Sequence, residues 1–328
     1  MTGIDIIGDI HGCATPLRQL LDGLGYEVDP LSGACQHPQR RAVFVGDLID
    51  RGPEQREVLQ LVKAMVDAGS ADIVMGNHEF NAIAYATPDP ANPGEFLRRH
   101  SDKNTHQHRA FLEQVDEAER EYYVEWFKTL PLWLDNGHIR VVHACWHEPS
   151  RQVVQNRLGG NRLTDEHLAE AATKGNELYR AVEILLKGPE ISLTKYGQQP
   201  YFDKDGQRRT EARLRWWDDK ATSLRDLAEV RGMETEDKGA YPELPAFEVD
   251  RDDGPTFVYT DNVPLFYGHY WRKWENYQED WTAYTACVDF SAVKKGPLVA
   301  YRWSGEPTIS WRNYVPHDPG VVAHKPSA

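Results

Sequence analysis

Five short segments rich in Asp, His and Asn could do chemistry together in this chain. Each follows an apolar run of strand length, so each would place oxygen and nitrogen donors where a buried strand ends and a turn begins. One such segment is weak evidence, because Gly-Asp and Gly-His pairs are ordinary turn residues and a loop Asp often caps a helix. Together they indicate a metal site. They are GDIHG at 8–12, GDLIDRG at 46–52, GNHE at 76–79, VHA at 142–144 and YGH at 267–269.

The elements that must position the first segments alternate between strand and helix. Apolar runs predict buried strands at 4–8, 41–46 and 71–75. Between them, Thr15-Pro16 suits a helix start before an amphipathic run that ends at Gly25, and residues 53–68 form a second amphipathic helix. This alternation predicts β-α-β units and a largely parallel sheet, with the segments at the carboxyl ends of the strands.

The later part of the core is predicted from fewer signals. Residues 105–130 are expected to form one long charged helix, followed by a strand at 139–142. Alternating residues at 285–290 and 297–303 predict two more strands in a second sheet packed on the first. His106 and His108 are two positions apart, but no further ligand lies near them in sequence. We therefore interpret them as part of a solvated helix start, not as a metal site.

Residues 146–262 differ in composition from the rest of the chain. They are polar, contain the acidic run 250–253 and several Gly-Pro breaks, and show no repeat. Because the fifth segment follows them, we interpret them as an insertion between His143 and His269, mostly helical at 164–187. The predicted organisation is a single domain at 1–310 that contains this insertion, with a tail at 311–328.

Composition excludes several classes of protein. With 328 residues, 40% hydrophobic and 11% aromatic, the chain can bury a sizeable core. The formal net charge of −14 argues against general binding to nucleic acids or anionic membranes, since both require excess Lys and Arg. No apolar stretch approaches the ~20 residues of a membrane span. We expect a soluble cytoplasmic protein whose four cysteines, at 13, 35, 145 and 287, are reduced and mainly packed.

The five segments, in this order, resemble the signature of calcineurin-like metallophosphoesterases. Within that superfamily the chain is similar to the PPP family, which holds phosphoprotein phosphatases and symmetrical dinucleoside tetraphosphatases. The resemblance covers residues 4–145 and 264–303 and includes the GDxHG, GDxxDRG and GNHE motifs and two later histidines. It implies the α/β metallophosphoesterase fold, a β-sandwich flanked by helices, here with an inserted segment.

The resemblance also implies a role for each motif residue. Two divalent metals would neutralise a phosphate ester and supply a bridging hydroxide as nucleophile near neutral pH. Mixed oxygen and nitrogen donors favour Mn²⁺, with Fe or Zn²⁺ as alternatives. The ligands by resemblance are Asp47 as the bridge, Asp9 and His11 on one metal, and Asn77, His143 and His269 on the other.

Three further motif residues are expected to act on the substrate. By resemblance, His78 protonates the leaving oxygen and Asp50 orients and supports it. The planar guanidinium of Arg51 can hold two phosphate oxygens. Glu79 is expected to be structural.

The sequence does not place a second phosphate-binding arginine. After His143 the chain reads Ala144-Cys145-Trp146-His147, where many phosphoprotein phosphatases have two glycines. Candidate substrate-binding cations are Arg213, Arg215 and Lys187. Aromatics could stack a nucleobase, although core packing is the preferred interpretation. They are Trp216, Trp217, Tyr267, Tyr270, Trp271, Trp274 and Tyr277.

Two substrate classes remain open from the sequence. Hydrolysis of phosphoserine or phosphothreonine proteins is slightly favoured by the form of residues 76–79 and by Asp50-Arg51. Symmetrical cleavage of dinucleoside polyphosphates, diadenosine tetraphosphate to two ADP, is favoured by residues 6–13 and 41–53. A catalytically inactive metal-binding regulator is a third hypothesis, disfavoured because every ligand and catalytic position is present.

Overall fold

The computed structural model describes residues 3–202, 206–230, 232–249, 257–276 and 282–318, and the chain divides into two compact units. The first unit holds Met1–Leu186 and Val263–Ala328, and the second holds Lys187–Asn262. The elements before the second unit are β1 Gly3–Ile7, α1 Ala14–Leu24, β2 Glu27–Val28, β3 Cys35–Gln36, β4 Arg40–Phe44, α2 Gln55–Asp67, β5 Ala71–Ile73, α3 Asn77–Ala86, α4 Asp102–Gln114, α5 Glu117–Lys128, β6 Trp133–Asp135, β7 Arg140–Val142, α6 Glu148–Leu158, α7 Asp165–Ala172 and α8 Glu177–Lys187.

The remaining elements follow in two groups. The second unit contains β8 Glu190–Ser192, β9 Tyr201–Phe202, β10 Arg208–Arg209, β11 Glu211–Leu214, α9 Leu224–Leu227 and β12 Ala228–Glu229. The chain then returns to the first unit with β13 Leu265–Tyr267, β14 Thr285–Cys287, β15 Val299–Trp303 and β16 Tyr314–Pro316.

Two sheets form the centre of the first unit. The five-stranded sheet has the order β16-β15-β1-β4-β5, in which β1, β4 and β5 are parallel. The four-stranded sheet has the order β14-β13-β7-β6, in which β14, β13 and β7 are parallel. One hydrophobic cluster contains Ile6 and Val43 from the first sheet and Val141 and Phe266 from the second. The α/β fold, a β-sandwich with helices, is therefore confirmed.

The first two helices follow their sequence patterns. In α1 the apolar side chains Leu17, Leu20, Leu21 and Leu24 are buried, and Gly25 ends the helix in the left-handed region. In α2, whose amphipathic pattern was predicted at 53–68, the apolar side chains Val58, Leu61, Val62 and Met65 are buried. Helix α1 begins one residue before Thr15, whose backbone N–H donates to the Glu54 carboxylate at 2.8 Å.

Two predictions about the elements were wrong. The long helix expected at 105–130 is two helices, because Asp116 caps a new start by accepting the backbone N–H of Glu119 at 3.0 Å. The two closing strands do not share a sheet. Strand β14 lies at the edge of the four-stranded sheet, whereas β15 pairs antiparallel with β1 in the five-stranded sheet. Alternation in sequence identifies a strand but not its partner.

The second unit has a small core of its own. Strands β12, β11 and β8 form an antiparallel sheet, and β9 and β10 form a hairpin. Trp216 and Trp217 are fully buried and meet edge to face at 5.9 Å between ring centres. The predicted insertion at 146–262 thus contains α6, α7, α8 and the whole second unit. Its acidic run 250–253 lies outside the described residues.

Candidate metal centre

The carboxyl ends of parallel strands carry the candidate ligands. Asp9 follows β1, Asp47 follows β4, and Asn77 follows β5 as the first residue of α3. In the four-stranded sheet, His143 comes directly after β7 and His269 follows β13. Parallel strands end at one edge of their sheet, so both sheets of the sandwich deliver donors to one place.

Asp47 lies at the centre of the site. Its Oδ2 atom is 3.6 Å from Nε2 of His11 and 3.4 Å from Nε2 of His143. Donor atoms of His11, Asp47 and His78 lie within 4.8 Å of one another, as do those of Asp47, His143 and His269. Asp47 belongs to both groups.

Buried polar atoms at the site fit a metal. Oδ1 of Asp9 and Nε2 of His11 are buried and have no hydrogen-bond partner within the described ranges. Such atoms are uncommon, because an unpaired buried acceptor loses its water without replacement. His143 Nε2 lies 3.0 Å from Oδ1 of Asn77, so amide oxygen and imidazole nitrogen converge there. This mixed donor set suits a divalent transition metal.

Backbone carbonyls orient two of the histidines. Nδ1 of His11 lies 2.9 Å from the Ile49 carbonyl oxygen, and Nδ1 of His143 lies 2.8 Å from that of Val45. A neutral imidazole that donates from Nδ1 has its lone pair on Nε2. Both Nε2 atoms face Asp47, and in the tautomer that donates from Nδ1 each would present a lone pair to a metal.

Burial and neighbouring charges set the protonation of the centre. Burial, with Asp289 and Asp47 nearby, holds the pKa of the Asp9 carboxyl well above its usual range. Burial also lowers the pKa of His11 to about 3, and Arg51 acts in the same direction. For Asp47, burial alone would raise the pKa, but His143 and the other histidines hold it well below its usual range. Asp47, at the middle of the centre, therefore stays ionised.

The backbone around the centre is unusual. Five residues of the centre have positive φ values: His11 (45°), Asp47 (52°), Asp50 (69°), Arg51 (71°) and His269 (69°). Left-handed conformations cost energy for such residues, and they persist only where surrounding contacts hold them. One such contact is Gln55, whose side chain accepts the N–H of Asp50 at 2.7 Å and donates to the Gly52 carbonyl at 2.9 Å.

Glu79 holds the loop that carries Asp47. Its carboxylate accepts the backbone N–H groups of Asp47 and Leu48, each at 2.8 Å, and of Gly76 at 2.9 Å. The side chain is fully buried. These contacts account for the structural role expected of Glu79 from the sequence.

The residues expected to act on substrate lie beside Asp47. His78 Nδ1 is 2.5 Å from Oδ2 of Asp50, and His78 Nε2 is 3.9 Å from Oδ2 of Asp47. Arg51 Nη2 lies 3.4 Å from Nε2 of His78, and the Arg51 side chain is exposed. The arrangement brings an imidazole, its carboxylate partner and a guanidinium close to Asp47.

His108 contacts the candidate site, which the sequence interpretation did not predict. It was interpreted as solvated, but it is buried, and its Nδ1 lies 2.8 Å from Oδ1 of Asp50. His106, two residues earlier, is exposed. A signal was available, because His108 and the buried Phe111 are three positions apart and share one face of α4.

Asp289 was also missed. Its carboxylate is buried and accepts the backbone N–H of Trp271 at 3.0 Å and of Ser291 at 2.9 Å. The N–H of His269 in turn donates to Oδ2 of Asp9 at 3.0 Å. The sequence at 287–289 shows an Asp at the end of a strand, but it does not reveal that this Asp contacts the loop after His269.

The candidate cations outside the centre lie in or beside the second unit. Arg213 is in β11, in register with Glu190 on β8 and Glu229 on β12. Arg215 has Nη2 3.7 Å from Oδ2 of Asp218, and Lys187 is the last residue of α8. Their role as substrate-binding residues stays a prediction.

Most of the aromatic residues belong to hydrophobic cores, as preferred from the sequence. Trp216, Trp217, Tyr267, Tyr270 and Trp274 are buried. Trp271 is only half-buried, and Tyr277 lies outside the described residues.

All four cysteines are buried and free, and burial raises the pKa of the Cys145 thiol. Among the described residues, no helix is long and apolar enough to cross a membrane.

Comparison with known proteins gives a family match over most of the chain. The model of the calcineurin-like phosphoesterase family matches residues 3–270. An asymmetrical bis(5'-nucleosyl)-tetraphosphatase from Geobacillus sp. (strain WCH70) is 35% identical over 150 residues, 43% of this chain and 56% of that protein. The chain spans about half the length of this relative and of a similar one from Oceanobacillus iheyensis, of which 54% is covered.

Longer matches have lower identity. A symmetrical bis(5'-nucleosyl)-tetraphosphatase from Marinomonas sp. (strain MWYL1) is 25% identical over 328 residues, which is 93% of this chain and 95% of that protein. A solved protein serine/threonine phosphatase from Saccharomyces cerevisiae is 14% identical, with 96% of this chain and 78% of that chain covered and a TM-score of 0.42.

Proposed function

Because this chain belongs to the calcineurin-like phosphoesterase family, we propose that it hydrolyses phosphate esters or anhydrides at the centre around Asp47. The observation that carries the proposal is the position of Asp47 in two overlapping groups of donors that could hold a metal, each within 4.8 Å, with His78 rather than Asp9 as the third member of the group around His11. A single carboxylate between two sets of ligands is what a two-metal phosphoesterase requires.

Two divalent ions, when bound, would neutralise the phosphate and lower the pKa of a water so that it can attack near neutral pH. We propose Mn²⁺, with Fe or Zn²⁺ as alternatives. Asp9, His11 and Asp47 would hold one ion. Asp47 would hold the other with Asn77, His143 and His269.

His78, supported by Asp50, would donate a proton to the leaving group. Asp50 binds Nδ1 of His78 at 2.5 Å, so Nε2 is the ring nitrogen that faces Asp47 and Arg51. A proton on Nε2 can pass to the oxygen that leaves phosphorus, which avoids the expulsion of an alkoxide or a phosphate of high charge.

Arg51 would bind the phosphate that reacts. Its exposed guanidinium lies next to Nε2 of His78 and can donate two parallel hydrogen bonds to phosphate oxygens. In the same position a lysine would offer a point charge without the planar fork.

For the substrate we propose dinucleoside polyphosphates. The relative with 35% identity over part of the chain and the relative that covers 93% of the chain are both named tetraphosphatases. Phosphoserine and phosphothreonine proteins are the second candidate, supported by the sequence form of residues 76–79 and by Asp50-Arg51. Both would react through the same residues. They differ in the charge that lies beyond the reacting phosphate.

The test is turnover by protein stripped with chelator and reloaded with Mn²⁺. Diadenosine tetraphosphate and a phosphoserine peptide are compared at equal concentrations, and nucleotide products are separated. Two ADP indicate symmetrical cleavage, and ATP with AMP indicates asymmetrical cleavage. A preference for the peptide would assign a protein phosphatase. His78→Asn serves as the inactive control, and turnover of neither substrate by loaded wild-type protein would contradict the proposed activity.

A further inference from the structure

A second cation lies close to Arg51 at the mouth of the candidate centre. Cζ of Arg51 is 4.3 Å from the centre of the Trp271 ring, and Nζ of Lys294 is 3.9 Å from the same point. Because both cations contact the same ring, the two charges are at most about 8 Å apart. Arg51 and Lys294 are exposed, and Trp271 is half-buried, so solutes can reach all three.

The contacts of Trp271 fix where the two cations sit. Trp271 follows the candidate ligand His269 by two residues and has a φ of 44°, a strained value for a side chain of its size. Its N–H donates to Oδ2 of Asp289 at 3.0 Å. The ring is therefore held beside the centre by its own backbone. It serves as a platform for cations and not as a free stacking surface for a base.

The same carboxylate fixes the turn that carries Lys294. Oδ1 of Asp289 accepts the N–H of Ser291 at 2.9 Å, and the Lys294 N–H donates to the Ser291 carbonyl at 2.8 Å. Asp289 is buried, so both hydrogen bonds are shielded from water. One residue thus positions the Trp271 loop and the Lys294 turn together.

The two cations differ in their contacts with the centre. Arg51 Nη2 lies 3.4 Å from Nε2 of His78, whereas Lys294 is linked to Arg51 through the Trp271 ring that both contact. Like charges at this distance repel, and an anion that lies along both relieves the repulsion. In a chain of net charge −14, such a pair also draws polyanions to this point against the general field.

We propose that Lys294, placed by Trp271 and Asp289, binds phosphate groups next to the reacting one and so selects substrates with a phosphoanhydride chain. A lone phosphate monoester can use Arg51 but carries no charge farther out. A polyphosphate chain extends its charge beyond the reacting phosphate, toward Lys294. The inference rests on the proposed function, because it takes the phosphate beside Arg51 as the one that reacts.

The test is equilibrium binding, which needs no turnover. Calorimetry with excess Mn²⁺ measures the Kd of orthophosphate and of a diadenosine tetraphosphate analogue with methylene bridges, for wild type, Lys294→Met and Lys295→Met. Lys295 is the matched control, since it is the exposed neighbour of Lys294 with the same charge. Lys294→Met should raise the ratio of analogue Kd to orthophosphate Kd roughly tenfold, as expected for one lost charge near a phosphate. Lys294→Arg should restore most of it.

Two results would overturn the inference. One is an equal ratio in Lys294→Met and Lys295→Met. The other is a loss of affinity for a phosphoserine peptide with acidic neighbours as large as the loss for the analogue, because Lys294 would then be a general anion contact. Wild-type protein that binds the analogue but hydrolyses nothing would contradict the proposed function and leave the subsite standing.

Discussion

Nδ1 of His108 lies 2.8 Å from Oδ1 of Asp50, while Nδ1 of His78 lies 2.5 Å from the other oxygen of the same carboxylate. Both oxygens of Asp50 are therefore held by histidines from two different helices, α3 and α4. The two histidines together hold the pKa of Asp50 below its usual range, although burial opposes them. Asp50 is thus a fixed anion behind His78, and His108 is a positioning residue for it.

Replacement of His108 by Leu should lower kcat roughly tenfold and leave KM within about twofold, because Asp50 loses one of its two donors while Arg51 stays in place. Steady-state kinetics on a phosphomonoester measures both constants. His108→Asn, whose amide can donate from nearly the position of Nδ1, should recover much of kcat. The exposed His106→Leu on the same helix is the matched control. Equal effects at 106 and 108 would remove the positioning role.

Asp47→Asn should abolish metal-dependent turnover, with kcat reduced by at least about a hundredfold, because a neutral amide is a poor bridge between two cations. Metal content after dialysis, measured by atomic emission, should fall with it. The fold should persist, since the amide oxygen can still accept the N–H that His78 donates to Oδ1 at 2.9 Å. Asp22→Asn, an exposed change of equal charge, controls for net charge. Retained activity in Asp47→Asn would exclude the bridging assignment.

Glu79→Gln should destabilise the protein by about 1–3 kcal/mol, because its amide nitrogen would face backbone N–H groups that now donate to a carboxylate oxygen. Urea denaturation of the metal-free protein measures the change in free energy of unfolding. The loop that carries Asp47 would also loosen, so metal affinity should drop. Glu121→Gln, on the exposed side of α5, is the control. A Glu79→Gln variant as stable as wild type would show that these three bonds contribute little.

His147 should make stability depend on pH below neutrality. Burial lowers its pKa from 6.5 to about 4, and its Nδ1 accepts the N–H of Ser150 at 3.2 Å at the start of α6. The unfolded chain therefore binds more protons at this position, and the free energy of unfolding decreases as pH falls from about 6.5 to about 4.

His147→Asn retains a capping oxygen but does not titrate, so it should lose stability less steeply across that window. The expected difference from wild type at the acidic end is on the order of 2 kcal/mol. Urea denaturation of metal-free protein at several pH values measures it, with the exposed His106→Asn as control. Parallel curves for wild type and His147→Asn would contradict the prediction.

The family, the parallel β-α-β start and the motif residues of the centre could all be predicted from the sequence. This was possible because each motif is local: a buried strand, a turn and a ligand lie within a few neighbouring residues, and parallel strands end at a common edge. The buried faces of α1 and α2 were predictable for the same reason, since a helical period is read from adjacent turns.

Tertiary structure alone decided the contacts between distant segments. His108 meets Asp50 across 58 positions, and Trp271 is placed next to Arg51 and Lys294 by segments far apart in the chain. The partner strand of β15 was equally hidden, because alternation specifies a face but not a neighbour. These relationships depend on how whole elements pack, and packing is a property of the folded chain that no short window of sequence contains.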